Sequence, residues 1–381
     1  MLYLVMPRGH TFGWGICGKY LTRELSALSP LTLITEPFDL KDIGDDYDYI
    51  LFKSLATDQN TFLASLNGSL HDPVIQAITD HTLMPLQPKI RGSKNIGYTF
   101  FETSSLSPEN ISQAGSRFDL IAAGSTWCES ILRKHGLNNT CTVIQGVDRS
   151  IFNPCENQKV FFRDQFVIFS GGKLELRKGQ DLVIKAFKVL QDKYDDVYLI
   201  NSWYNHWAFS MQTLAASPHI HCDLGAGDYY AMIDKLLADN GIDLRKVLTL
   251  PPKPNIAMAK IYRNSDCGIF PNRCEGGTNL VLMEYLACGK PAIVSNSSGH
   301  RDIIDEENAI LLKELEARPF VQYDGSTTLW DEPDLDEVVD RLEWAYHNRD
   351  RLTSIGENAG KSMELHTWQR AAQKFFDLTQ N

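Results

Sequence analysis

Two groups of side chains in this 381-residue chain have the types and spacing to do chemistry. Glu275 and Glu284 flank a glycine-bearing turn and the apolar segment after it, in RCEGGTNLVLMEYLACGKP. A helix start presents free backbone N–H groups, which suit a phosphate or a carboxylate. Carboxylates beside it suit hydroxyls, such as those of a sugar or a ribose. Lys173, Arg177 and Lys178 lie in GGKLELRKGQDL, where two glycines permit a tight bend before another helix start. Cations beside aligned N–H dipoles are what a diphosphate requires when its bond to a sugar breaks. Both groups point to a nucleotide or sugar-phosphate site. Each taken singly has a plainer reading, as a capped helix behind a surface loop or as a solvated basic turn.

The elements that must position these groups read as parallel α/β units. The run Cys267 to Phe270 predicts a buried strand, Leu280 to Cys288 a helix stopped by Gly289 and Pro291, and Ala292 to Ser295 a second strand. Residues 166 to 170, FVIFS, open that half of the chain. The other half opens in the same way. Residues 1 to 7 predict a strand, glycines at 9, 13, 15 and 18 a turn, TRELSAL a helix and LTLITEP a strand. No GxGxxG dinucleotide fingerprint stands at that turn. Residues 41 to 54 predict a loop and then a strand, and a helix is expected around 73 to 84, broken by Pro85 and Pro88. His71, Asp72 and His81 are proton-transfer candidates more easily read as structural. Trp203, Tyr204, Asn205, His206 and Trp207 crowd a strand exit, where aromatics can stack on a base or sugar or pack on the helix below. Helices are expected over 333 to 349, 351 to 365 and 367 to 379.

Composition narrows the function classes. Hydrophobic residues at 43% and charged ones at 22% describe a packed globular protein with room for two domains. A formal net charge of −11 argues against a general nucleic-acid binder. The eight cysteines form no CxxC pair, so buried thiols of a reduced compartment are expected, with no zinc cluster. The first strand is too short to span a membrane and lacks signal-peptide flanks. A cytoplasmic protein is expected, and peripheral contact with a membrane surface is compatible with it.

The chain resembles retaining glycosyltransferases of the GT-B fold, family 4 (glycosyl transferases group 1) type. The resemblance rests on four ordered segments and covers nearly the whole chain. The paired Glu275 and Glu284 match the family's two glutamates, with eight residues between them, Gly276 to Met283, one more than is usual. GGKLELRKG matches the basic segment, with Lys173 at the usual Arg position and Lys178 at the usual Lys. QGVDRSIFNP, with Gln145 in place of the usual Asn, matches the segment that closes the first domain, and Gly13, Trp14 and Gly15 resemble the first glycine-rich loop. At the end of the strand in NIGYTFFET a His is common in the family; none stands here, and Glu102 is the nearest polar side chain.

The resemblance implies two Rossmann-like domains facing each other across a cleft. It places the first domain at 1–155 on the acceptor side, with the helix 366–381 packing back on it, and the nucleotide-sugar-binding domain at 156–365. It implies transfer of a hexose-like sugar from a nucleoside diphosphate sugar (UDP-, GDP- or ADP-linked) to a hydroxyl acceptor, with retained configuration and no metal. Lys173 and Lys178 then stabilise the leaving diphosphate. Backbone groups of Gly277, Thr278, Asn279, Leu280 and Val281 hold phosphate and sugar oxygens, Glu275 binds sugar hydroxyls and Glu284 the ribose. Gly13 and Gly15 approach the diphosphate, and Glu102 serves the acceptor. Two other readings stay open: a non-catalytic sugar-nucleotide or glycan binder, favoured by the missing His, and an NAD-dependent dehydrogenase, disfavoured by the missing GxGxxG. The residues leave the donor base, donor sugar, acceptor and oligomeric state open.

Overall fold

The structure is a computed structural model that describes residues 1–154, 159–205, 208–224, 228–322 and 325–380. The expected domain boundary at 155/156, together with His206 and Trp207 of the aromatic run, lies outside the described residues. The chain divides into two compact units. One comprises Met1–Val147, Gly276–Leu280 and His366–Asn381; the other comprises Asp148–Glu275 and Val281–Leu365.

The first unit holds a parallel sheet of β1 (Leu2–Val5), β2 (Leu31–Thr35), β3 (Ala56–Asp58), β4 (Val74–Ile78), β5 (Asn95–Thr99), β6 (Leu120–Ala123) and β7 (Thr140–Thr142). Its order is β3-β2-β1-β4-β5-β6-β7. These strands are short and mostly apolar, as a sheet covered by helices on both faces requires. The helix Gly13–Leu28 begins inside the glycine-rich stretch, not after it. The reason is close packing: a Cβ on Gly18 would lie 1.9 Å from the Pro7 carbonyl oxygen, so the chain leaving β1 presses directly on this helix. The final helix, Trp368–Gln380, belongs to the same unit. Trp368 stacks on Tyr20 at 5.3 Å and Phe375 meets Tyr98 edge-on at 4.8 Å.

Two local expectations fail here. Residues 46–55 are helical, where a strand was expected. Asp45 caps that helix by accepting a hydrogen bond from the Asp48 amide at 3.0 Å, and Asp48 then pairs with buried Lys19 at 2.8 Å. Residues 74–78 form fully buried β4, where a helix was expected. A short apolar run buried on both faces carries no period that separates strand from helix.

The second unit holds β8 (Phe166–Gly172), β9 (Val197–Trp203), β10 (Val247–Thr249), β11 (Cys267–Phe270), β12 (Ala292–Ser295) and β13 (Ile310–Leu312), in the parallel order β10-β9-β8-β11-β12-β13. The order reverses between β8 and β11, and in such sheets ligands bind outside the carboxyl ends of the strands at that reversal. Phe166, Ile168, Leu199, Ile269 and Ile293 of the strands pack with Val183, Phe187 and Leu190 of the helix Gln180–Lys193. Beyond β13 an antiparallel hairpin forms from β14 (Leu315–Val321) and β15 (Thr327–Pro333), which the sequence reading did not anticipate. The helices Leu335–His347 and Arg349–Ser362 fall where expected.

Candidate functional site

The second unit gathers its charged groups at the carboxyl ends of β8 and β11. After β8 the chain bends at Gly172 (φ 123°) and passes Lys173 into a single turn, Leu176–Lys178. Gly179 then takes a left-handed conformation (φ 71°), and a Cβ there would sit 2.2 Å from the Pro271 carbonyl oxygen. Only glycine lets these two loops approach so closely. The approach aims Lys178 at the loop after β11, where its ammonium meets Glu275 Oε1 at 2.5 Å. Arg177 reaches Glu275 Oε2 at 3.2 Å, Glu175 at 2.6 Å and the Cys274 carbonyl oxygen at 2.8 Å. Asn272 also donates to Glu275.

Glu275 is therefore a buried carboxylate held by three side chains, 4% exposed. Burial pushes its carboxyl up, but the charges of Lys178 and Arg177 outweigh that and hold it at about 2. Its backbone is fixed as well. Its amide donates to Ser298 Oγ at 2.7 Å, and its carbonyl oxygen accepts from the Gly299 amide at 3.1 Å. Ser298 holds φ 43°, a strained value for a residue with a side chain. His300, fully buried beside this loop, is pushed down to about 4 by burial and so is neutral at pH 7.

Glu284 occupies a different environment. On the helix Leu280–Ala287 it accepts from Asn255 Nδ2 at 3.1 Å and from the Tyr262 hydroxyl at 3.2 Å. Burial pushes it up to about 8, only partly offset by those two hydrogen bonds. Two glutamates ten positions apart, counted inclusively, thus hold opposite protonation states at pH 7. Environments that drive two carboxyls apart in this way mark candidate functional sites.

The turn between them groups with the first unit. Ser125 Oγ donates to the Gly276 carbonyl oxygen at 2.6 Å, and a Cβ on Gly276 would meet the Phe101 backbone at 2.4 Å. A Cβ on Gly277 would lie 3.3 Å from Gln145 Oε1. Within this turn Asn279 adopts φ 64°, a conformation that asparagine tolerates better than most residues. Val281 packs on Gly171, where an added Cβ would lie 2.9 Å from it.

Other expected site residues scatter. Lys173 lies at the exit of β8, its carbonyl oxygen accepting from Gln180 Nε2 at 2.6 Å. In the first unit Gly13 has open space where a Cβ would be, whereas a Cβ on Gly15 would lie 2.7 Å from the Gly9 backbone. Glu102 is half-buried two residues past Phe100, which follows β5 directly. Of His71, Asp72 and His81, Asp72 meets the N-terminal ammonium at 3.3 Å. Asn272, Ser298, His300, Asn255 and Tyr262 were missed in the sequence. Asn272 reaches Glu275 from three positions before it, and the other four reach the glutamates through tertiary contacts, so spacing carries no signal for those four. Among the described residues no group of three or more His, Cys, Asp or Glu is placed to hold a metal, and no helix is long and apolar enough to cross a membrane.

A profile of the family described as Glycosyl transferases group 1 matches residues 214–323, a span that includes Glu275 and Glu284. The whole chain superposes on a sucrose-phosphate synthase from Thermosynechococcus elongatus with a TM-score of 0.70 at 14% identity, covering 100% of this chain and 98% of that one. Over residues 214–323 the chain is similar to the group 1 glycosyltransferases, and its fold is that of the GT-B structures. HepE from Anabaena, solved with UDP and glucose, is another structural neighbour, with a TM-score of 0.62 at 13% identity over 100% of this chain and 99% of that one. The putative glycosyltransferase EpsD of Bacillus subtilis (strain 168) is 24% identical over 237 residues, 59% of this chain and 49% of EpsD. The match thus spans about half the length of that curated relative.

Proposed function

We propose that the chain is a group 1 glycosyltransferase that transfers a hexose-like sugar from a nucleoside diphosphate sugar to a hydroxyl acceptor, with retention at the anomeric carbon. The observation that carries this reading is the buried Lys178–Glu275 pair at the β8/β11 reversal, a cation and an ionised carboxylate held side by side at 2.5 Å. Lys178, with Lys173 on the same loop after β8, stabilises the diphosphate as the sugar leaves, and Glu275 accepts hydrogen bonds from sugar hydroxyls. Glu284, protonated at pH 7, can both donate to and accept from ribose hydroxyls. Backbone N–H groups of Gly277, Thr278, Asn279, Leu280 and Val281 offer donors to phosphate and sugar oxygens. The acceptor hydroxyl attacks from the face the diphosphate leaves, and the departing phosphate oxygen takes its proton. Charge is carried by lysines and backbone dipoles, so no metal is needed in this scheme. The first unit is assigned to the acceptor, with Gly13 leaving room above its helix start and Glu102 as the acceptor-side carboxylate. The UDP and glucose bound to HepE support a UDP-sugar as the first donor to try, ahead of GDP- and ADP-sugars.

Lys178→Ala tests the assignment. Loss of one charge-assisted hydrogen bond costs about 1.5–3 kcal/mol, roughly 10–150-fold in the dissociation constant for a nucleoside diphosphate. Calorimetry on the folded variant, checked by circular dichroism, reads this directly. Unchanged affinity refutes the phosphate role of Lys178. Tight sugar-nucleotide binding by the wild type with no nucleotide release favours the non-catalytic binder.

A further inference from the structure

The loop that carries Glu275 is also held by an arginine with no part in the proposed chemistry. Arg273 is fully buried, and all five of its N–H donors are used. Nε donates to Glu332 Oε2 at 2.5 Å and Nη2 to Glu332 Oε1 at 2.8 Å. Nη1 and Nη2 donate to the two oxygens of Asp181, both at 2.8 Å, and Nη1 also donates to the Leu176 carbonyl oxygen at 2.5 Å. A planar guanidinium can fork onto two carboxylates at once; an ammonium cannot. Asp181 lies in the first turn of the helix that follows Lys178, and Glu332 lies on β15.

The hairpin engages the same loop through its backbone. The Asp331 amide donates to the Arg273 carbonyl oxygen at 3.2 Å, and Ser297 Oγ donates to Asp331 at 2.8 Å. The Arg273 amide in turn donates to the Arg177 carbonyl oxygen at 2.8 Å. An isolated two-stranded hairpin is marginal in water. This one turns Phe320 and Trp330 inward as a stacked pair at 5.2 Å, and the Arg273 guanidinium carbon lies 5.6 Å from the Phe320 ring centre. His219 closes the network on Glu332 at 3.0 Å. Burying an arginine and two carboxylates stabilises a fold little better than apolar residues of the same size do. What such a network adds is a single allowed geometry, set two residues before Glu275.

We propose that Arg273 is a positioning residue for Glu275, with the β14–β15 hairpin as the strut that holds it. This rests on the reading of Glu275 as the contact to the donor sugar. Arg273 fixes the main chain before Glu275, Arg177 takes the Cys274 carbonyl oxygen, and Ser298 takes the Glu275 amide. Loosening the first of these tethers lets the Glu275 carboxylate move off the sugar while Lys178 still meets the diphosphate. The signature is selective: affinity for the sugar nucleotide falls and affinity for the bare nucleotide does not.

Arg273→Lys and the milder Glu332→Gln test this by calorimetry with UDP and UDP-glucose, GDP and GDP-mannose, and ADP and ADP-glucose. For the pair that the wild type binds, the ratio of sugar-nucleotide to nucleotide dissociation constants should rise tenfold or more, with the nucleotide value within threefold. Parallel weakening of both ligands, or no change in either, overturns the proposal. Amide hydrogen exchange supplies a readout that needs no ligand. Residues 272–276 should exchange at least tenfold faster in both variants while β8 is unchanged, and unaltered exchange at 272–276 overturns the proposal by itself. If the wild type binds none of the six nucleotides, the donor reading falls, and the exchange rates still decide the role of Arg273.

Discussion

Glu284→Gln separates the protonation state of this carboxyl from its shape. The folded carboxyl titrates at about 8, against 4.5 for an ordinary glutamate. Between those values the folded chain keeps a proton that the unfolded chain has lost, so the stability supplied by the neutral carboxyl declines as pH rises through that window. From pH 7 to pH 9 the folded carboxyl passes from about nine-tenths to about one-tenth protonated, a loss of about 1.4 kcal/mol, or tenfold in the folding constant. Glutamine cannot titrate, and its single carbonyl oxygen can serve only one of Asn255 and Tyr262 without rearrangement. The substitution should cost about 1 kcal/mol at pH 7 through the hydrogen bond that is weakened. Urea unfolding followed by far-UV circular dichroism, run on both proteins at pH 7 and pH 9, gives the comparison. The wild type should be the more stable protein at pH 7, and the gap should close or reverse by pH 9. An equal gap at both values would show that Glu284 is ionised at pH 7 and that its proposed donor role toward ribose is wrong.

His300 supplies a slope of the opposite sign. Its imidazole titrates near 4 in the folded chain against 6.5 ordinarily, so its neutral form contributes stability that is complete above pH 6.5 and is lost as pH falls toward 4. His300→Gln should flatten the acid limb by up to about 3 kcal/mol, measured as the difference in unfolding free energy between pH 7 and pH 4; an acid limb identical to the wild type's refutes the buried neutral imidazole. Gly18→Ala places a methyl where the Pro7 carbonyl oxygen stands 1.9 Å away, and the overpacking should cost about 1–3 kcal/mol in thermal or urea unfolding. A neutral Gly18→Ala would mean that β1 and the first helix do not pack as described.

The sequence disclosed the parts of the site that depend on local order. The strand, glycine-bearing turn, helix and strand around 267–295 were legible because each element carries its own start and stop residues. Lys178 was legible because Gly179 follows it and a helix follows that. The partners of the two glutamates were not legible: Asn255 stands 29 positions from Glu284, and Ser298 stands 23 from Glu275. Nothing in the chain between them fixes such distances. The opposite protonation states of Glu275 and Glu284 were hidden for the same reason, since they follow from which cations the fold brings near and which it keeps away. Helix 46–55 was misread because its apolar run, YILF, suits a strand, and the deciding contacts are the Asp45 cap and the Lys19 pairing. β14 and β15 were passed over because neither repeats a parallel-strand pattern, and their anchor is Arg273, more than forty residues earlier.

The most direct test of the central claim is a crystal structure of the chain soaked with the sugar nucleotide it binds most tightly among UDP-, GDP- and ADP-glucose. A diphosphate oxygen should lie within about 3 Å of Lys178 Nζ, and a sugar hydroxyl at the same distance from a Glu275 carboxylate oxygen. A nucleotide seated away from both side chains, with the Lys178–Glu275 pair left intact and uncontacted, would contradict it.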